Sequence, residues 1–312
     1  MILSHLWLPR CSPSPLRRVN PSVLRRPTPP RFLASRRWQS ISISRVAGGC
    51  GAEIRGVDLK NINKTTAATV RQALLDHNVV FFREQDLTPA EFLSFASFFG
   101  KPVEYPFVSG IDGYPEVIEV LKKETETGAN FGGVWHSDTT YLPEPPMGSI
   151  LLAREVPSVG GDTMWSNQYA AYEALSSGLK EVLGQLRCVQ SSAKADASKT
   201  REDRVKDSGR GAEHMEALHP VVRTHPETGR KALFVNVAHT TKFDGWTEEE
   251  SMPLLKFLFG HQVKLEFTCR LRWDPAMLVM WDNRSTLHYP LNDYHGQRRR
   301  MHRITLAGDV PR

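Results

Sequence analysis

Between Phe267 and Trp273 the chain alternates without a break, with Phe267, Cys269, Leu271 and Trp273 on one parity and Thr268, Arg270 and Arg272 on the other. A period of two belongs to an extended strand with one buried face. Turn signals divide much of the remaining sequence into similarly short pieces. Ser42-Ile43-Ser44 runs into Gly48, Gly49 and Gly51, and Val79–Phe82 is a continuous apolar run suited to a strand buried on both faces. Val117–Leu121, Gly148–Val156, Asp162–Trp165, Ala232–Val235 and Met277–Trp281 read as further strands. Helix signals are fewer. Thr65–Asp76 places Val70 and Leu74 on one face, and Asn167 is an N-cap for a helix through Tyr172 and Leu175. Thr88-Pro89-Ala90-Glu91 is a capping box with proline at the first helical position, ahead of core aromatics Phe92, Phe95 and Phe99. Thr247 opens another helix that is expected to end at Gly260. The pattern implies a mixed β fold with flanking helices, a β-sandwich or jelly roll.

The first 45 residues differ in kind. They hold nine arginines, no lysine and no acid, and the prolines from Pro9 to Pro30 forbid a long helix. Residues 1–40 therefore read as a transit peptide, most simply mitochondrial, or as a disordered leader, with the working domain at 41–312 and a cytoplasmic location the alternative. Without those nine arginines, 31 basic residues face 34 acidic ones, so the basic balance belongs to the leader and is no nucleic-acid footprint. No apolar run approaches the ~18 residues that span a bilayer. Cys11, Cys50, Cys188 and Cys269 are scattered with no CxxC, pointing to free thiols. Nothing in this pattern fixes the oligomeric state, and a homo-oligomer is compatible with it.

The chemistry-bearing residues lie far apart. In an extended Trp135-His136-Ser137-Asp138, His136 and Asp138 project to one side and can share an ion. Imidazole plus carboxylate is two-thirds of the facial triad that leaves ferrous iron open positions. An isolated pair is equally a surface histidine beside a loop aspartate. His288 is a candidate third ligand if the fold returns it. As a strand, Arg298–Leu306 sets Arg299, Met301 and Arg303 on one face and His302, Ile304 and Leu306 on the other. Two guanidiniums aimed inward require anions, and a dicarboxylate matches their planar forks; a basic edge strand is the plainer alternative. Residues 122–133 form a polar loop, a lid or a simple connection, and residues 191–214 have the composition of a mobile insertion or flap. His77, His214, His219, His225, His239, His261 and His302 read as packed or surface histidines.

Four segments in order, HSD at 136–138, PSVGGDTMWSN at 157–167, LHPVVRTHPETGRKALFVN at 218–236 and WDNRSTLHYPLNDYHGQRRRMHRITLAGD at 281–309, closely resemble the taurine dioxygenase family. The resemblance spans roughly residues 43–310. It implies a double-stranded β-helix (jelly-roll) core and an Fe(II)- and 2-oxoglutarate-dependent dioxygenase that consumes O2 and releases succinate and CO2. It implies iron on His136, Asp138 and His288, and the distal carboxylate of 2-oxoglutarate on Arg299 and Thr163. Arg303 matches a position beside the near carboxylate and the substrate's anion, so a small anionic substrate is expected, without nucleic acid or membrane as partner. Tyr105 and Val108 replace a histidine and a tyrosine of the taurine enzyme's pocket, and Gly132-Gly133 replaces an asparagine-bearing loop. These departures count against taurine itself. Phe234 matches a wall of the substrate pocket. A sulfonate, sulfate ester or carboxylic acid fits this set. A betaine-type hydroxylase, a zinc hydrolase on the same three ligands and a non-enzymatic anion-binding jelly roll are the alternatives.

Overall fold

The computed structural model describes residues 40–128, 132–194 and 214–312. The leader before Ser40, Phe131 and most of the charged insertion expected at 191–214 lie outside the described residues. In chain order the first strands are β1 (Ser42–Arg45), β2 (Ala52–Arg55), β3 (Val79–Phe82), β4 (Pro102–Val103), β5 (Val117–Lys122), β6 (Gly148–Glu155), β7 (Thr163–Asn167) and β8 (Arg187–Ser191). Then come β9 (Glu216–Pro220), β10 (Val222–Thr224), β11 (Lys231–Leu233), β12 (Thr240–Phe243), β13 (Thr268–Leu271), β14 (Leu278–Asp282), β15 (Thr286–Pro290) and β16 (Arg299–Leu306). The helices are α1 (Lys64–His77), α2 (Pro89–Ser97), α3 (Gln168–Glu173), α4 (Ser177–Leu183) and α5 (Glu248–His261).

The largest sheet runs β1-β2-β3-β14-β6-β16, with β5 and β4 sharing the far edge of β16. A three-stranded sheet, β13-β7-β15, carries the second half of the site. Strand parity decides what each face meets. Val80, Phe82, Ile150, Leu152, Leu278, Met280 and Ile304 turn to one side, where α1 and α2 cover them with Leu74, Phe92 and Phe95. Their neighbours Val79, Phe81, Ala153, Val279, Trp281 and Met301 turn to the other and meet Trp165, Cys269 and Leu271 of the small sheet and Trp273 just past it. Burying a large apolar side chain contributes roughly 1.5–3 kcal/mol, so both faces of the central strands stabilise the fold. This is why Val79–Phe82 is apolar at every position.

Local signals place most helix starts. Thr88 and Thr247 form full capping boxes with Glu91 and Glu250, and Asn167 accepts from the backbone of Tyr169 and Ala170. Three expectations need correction. The alternating segment Phe267–Trp273 is a strand only over Thr268–Leu271, because Phe267 ends a 3-10 turn, although Cys269, Leu271 and Trp273 keep the buried parity. The helix begun at Thr247 passes Gly260 and closes at His261, whose buried ring donates from Nε2 to Ala171 O at 2.7 Å. The helix after Asn167 stops at Glu173, two residues short of Leu175.

Strand β16 divides its residues as the alternation predicts, and His302 falls on the face away from the site. It is buried, and Arg154 donates from Nε to its Nδ1 at 3.2 Å, which requires a neutral ring. Burial first, then Arg154 and Arg300, push the His302 pKa down to about 4. The unfolded chain therefore takes up a proton that the folded one refuses between about pH 6.5 and 4, so stability is full above that window and falls through it. Thermal melts should drop by roughly 5 °C from pH 7 to pH 4.5, with a shallower slope in His302→Phe; parallel slopes would remove His302 as a source.

Candidate active site

Three buried side chains converge where the two sheets meet. His136, Asp138 and His288 bring ligand atoms to within 4.8 Å of one another. Each histidine Nε2 lies 3.7 Å from Asp138 Oδ1. The 150 residues between the halves are closed by backbone: His136 N donates to His288 O at 3.1 Å, and His288 N donates to His136 O at 2.8 Å. This pairing extends β15 and fixes both rings, which stand 4.1 Å apart centre to centre. His136 Nδ1 lies 2.8 Å from Val134 O, so its proton sits on Nδ1 and Nε2 is left as a lone pair. His288 is held by packing, 4.8 Å from the Trp281 ring, and its Nδ1 has no partner among the described residues.

Asp138 divides its oxygens between two tasks. Oδ1 faces the histidines, while Oδ2 accepts from Ser149 Oγ at 2.7 Å, Asn283 Nδ2 at 3.0 Å and Arg303 Nη2 at 2.9 Å. Trp281 Nε1 donates to Asn283 Oδ1 at 2.8 Å, which turns the Asn283 amide nitrogen toward Asp138. Burial pushes the Asp138 carboxyl up, but the Arg303 charge and the Ser149 hydrogen bond outweigh it and hold it ionised well below the usual carboxylate range. Burial likewise lowers His136 and His288, keeping both neutral and available as ligands.

Beside the triad opens a cavity lined by His136, His288, Trp165, Trp281, Leu151, Thr163, Trp273, Lys122, Tyr294, Arg299 and Arg303. Its polar end is cationic. Arg299 is buried over the Trp273 ring at 5.6 Å, and its Nε has no hydrogen-bond partner among the described residues. Burial lowers its pKa, the mark of a charge without full compensation. Thr163 Oγ1 accepts from Trp273 Nε1 at 3.0 Å and keeps its own proton to donate. Lys122 pairs with Arg299 in register across β5 and β16 and donates to Gly128 O at 3.3 Å and to Asn292 Oδ1. The donor set fits a ferrous ion, and the uncompensated guanidinium beside a hydroxyl donor fits a keto acid with a distal carboxylate.

The expected site residues do not all gather here. Thr163, Arg299 and Arg303 line the cavity. Arg303 also spends hydrogen bonds on Asp138 and on Ser149 Oγ at 3.1 Å, so it braces the ligand as well as offering charge. Tyr105 is buried beneath it, with the Arg303 carbon 5.2 Å from its ring, and packs with Val108 and Ile118. Phe234 does not line this cavity; it faces His219 and the Arg223 guanidinium and borders a smaller space behind Ser137 and Thr140. Lys122 and Asn283 lie in segments the sequence singles out, but neither they nor Ser149 announce a role in the site. They become visible only when β5, β6 and the turn after β14 are set side by side.

Gly132 explains why the chain departs from an asparagine-bearing loop before the HxD. Its φ is +69°, and a Cβ there would stand 2.5 Å from His136 Cε1 and 2.8 Å from His136 Nε2. Any side chain displaces the imidazole. Gly132→Ala should weaken iron binding about tenfold and lower the melting temperature of the metal-free protein by a few degrees, about the cost of a side chain at positive φ; unchanged iron affinity would show that the ring has room to retreat.

A sheet-dominated fold with a His-Asp-His metal site beside a buried arginine defines a non-haem iron oxygenase that uses a keto acid. The chain belongs to the taurine catabolism dioxygenase TauD, TfdA family, whose profile matches residues 42–305. It is an Fe(II)- and 2-oxoglutarate (α-ketoglutarate)-dependent dioxygenase, an oxidoreductase that takes O2 as cosubstrate. It is 37% identical over 281 residues to an alkylsulfatase of Acinetobacter baylyi, covering 87% of this chain and 86% of that one. An alpha-ketoglutarate-dependent sulfate ester dioxygenase of Pseudomonas putida is 36% identical over 280 residues, covering 87% and 91%. The crystal structure of a taurine dioxygenase from Burkholderia xenovorans superposes with a TM-score of 0.75 at 36% identity, covering 88% of this chain and 93% of that one.

Proposed function

We propose that this chain hydroxylates a small organic anion, with alkyl sulfate esters ahead of sulfonates and carboxylic acids, at the carbon next to the heteroatom. The carrying observation is the cavity lined by Arg303 and Arg299, two buried guanidiniums, together with His136 and His288 of the His136–Asp138–His288 cluster. The similarity to an alkylsulfatase and a sulfate ester dioxygenase selects the ester. In this reading the core is a double-stranded β-helix, supported by the two sheets that close on Trp165 and Trp281.

Bound iron and 2-oxoglutarate supply the oxidation, in which O2 converts the keto acid to succinate and CO2 and places its other oxygen atom on the substrate carbon. His136, Asp138 and His288 hold the metal. Arg299 takes the distal carboxylate of 2-oxoglutarate in a charge-assisted pair, and the Thr163 hydroxyl donates a hydrogen bond to the same oxygens. Trp165, Trp281 and Leu151 keep water from the reacting centre. Arg303 holds Asp138 in place through Nη2 and brings its positive charge to the cavity, where it attracts the substrate anion; Tyr105 backs it. A hydroxyl on the carbon bearing the sulfate oxygen collapses to an aldehyde and inorganic sulfate, so the ester is cleaved without a hydrolytic water.

Ferrous protein with 2-oxoglutarate under nitrogen should show the weak visible band of keto-acid chelation. In air, hexyl sulfate should then release succinate, sulfate and hexanal in equal amounts. Equal activity with taurine, or sulfate release without succinate, would overturn the ester reading. A trimethylammonium substrate would require a cage of aromatic rings free of arginine, and Arg303 over Tyr105 occupies that place. Residues 1–40 we assign to a mitochondrial leader on the strength of their arginine-rich, acid-free composition; a fluorescent fusion that stays cytosolic would exclude it. Sedimentation of the purified chain decides whether it assembles as a homo-oligomer.

A further inference from the structure

His239 reads from the sequence as one more packed histidine, yet its ring stands 6.4 Å from that of His136 and 4.9 Å from that of Tyr141. It does not line the cavity that holds Arg299 and Thr163, although its ring is close to that of a ligand histidine. Its Nδ1 lies 2.8 Å from Thr140 Oγ1. A closed set of hydrogen bonds determines which atom of that pair carries the proton. Gln190 Nε2 donates to Phe234 O at 3.0 Å, which makes Gln190 Oε1 the acceptor for Thr140 Oγ1 at 3.1 Å and Thr240 Oγ1 at 3.0 Å. Asn236 Oδ1 accepts from His239 N at 2.9 Å, so Asn236 Nδ2 is the donor to Thr140 Oγ1 at 3.1 Å. The single Thr140 proton goes to Gln190, and Thr140 receives from Asn236 and from an Nδ1–H on His239. The opposite tautomer would leave Nε2–H as a donor with nothing to meet it, and unmet donors are the rarer and costlier defect. Nε2 makes no hydrogen bond among the described residues and is not among the fully sealed, unpartnered atoms.

We propose that His239 is a specificity-determining residue, locked as the Nδ1–H tautomer by Thr140 so that Nε2 offers a hydrogen-bond acceptor to a donor group on the substrate. The preferred substrate is then an anion at the Arg303 end that also carries a hydroxyl or N–H group. The sulfate part of this statement rests on the function proposed above; the tautomer and the acceptor do not.

Two measurements test it. In protein labelled with 15N-histidine, the His239 resonances, identified by their loss in His239→Phe, should show a protonated Nδ1 and an unprotonated Nε2 at pH 7. A protonated Nε2 overturns the proposal. Second, the KM values of hexyl sulfate and its monohydroxylated isomers are compared. The best isomer should be favoured about tenfold, the net worth of one hydrogen bond. That ratio should fall to near one in His239→Phe and be partly kept in His239→Gln, whose side chain can still accept. A ratio near one in the wild type, or one that survives His239→Phe in folded protein, overturns the proposal. If no ester supports turnover in the wild type, the sulfate reading fails instead, and the nitrogen resonances alone decide for or against the assignment of His239.

Discussion

Asp138→Asn should abolish iron retention and reduce succinate formation by more than about 100-fold, beyond the 10–100-fold typical of losing an outer partner of a ligand. The charge is only part of the reason. Ser149, Asn283 and Arg303 all donate to Oδ2, so an amide at this position must keep its oxygen there. Its NH2 group is then forced into the place of Oδ1, 3.7 Å from both histidine Nε2 atoms, where it presents protons to the metal. Metal analysis after gel filtration, with succinate quantified in parallel, checks this. Iron bound at one equivalent with turnover near wild type would mean that the two histidines and another group suffice. Asp138→Glu separates the effects, because it restores the charge and leaves only the reach in error.

Arg299→Met should raise the KM for 2-oxoglutarate about 100-fold, since removing one partner of a buried charged pair costs about 2–5 kcal/mol. The same change should make the protein without cosubstrate more stable, with a melting temperature higher by about 3 °C. The two effects share one cause. Arg299 is buried, its Nε has no partner among the described residues, and burial lowers its pKa against the weaker pull of Tyr294 and Asp162, so the unliganded fold carries an incompletely compensated charge that methionine relieves. Calorimetry with 2-oxoglutarate and a melt in its absence measure both. Loss of stability in the variant would mean that Arg299 holds the β5–β16 edge together and is not kept for a ligand. Arg299→Lys should recover little, because a point charge cannot supply the paired donors of a guanidinium.

The local elements were legible in the sequence because local physics builds them. The capping boxes at Thr88 and Thr247 and the N-cap at Asn167 each satisfy helix-end donors within three residues. The parity of β16, with Arg299, Met301 and Arg303 on one face, follows from the period of an extended chain. The ligands were legible for another reason, since few residue types hold ferrous iron and the motif around His136 and Asp138 resembles a known family. Where the alternation at Phe267–Trp273 overstated the strand, a 3-10 turn had satisfied the backbone locally while the side chains kept their buried parity.

Tertiary structure decided what depends on neighbours distant in the chain. Nothing near Asp138 in sequence announces that Ser149, Asn283 and Arg303 meet on one of its oxygens. Arg303 was legible as a cation in the site but not as the brace of a ligand. His239 was passed over because its proton is placed by Thr140, Gln190, Asn236 and Thr240, which come from separate loops and strands. Sequence by itself determined which elements form and which atoms can bind iron. Only the packing of one sheet against another determined which hydrogen bonds close, and through them which lone pairs and charges face the reacting centre.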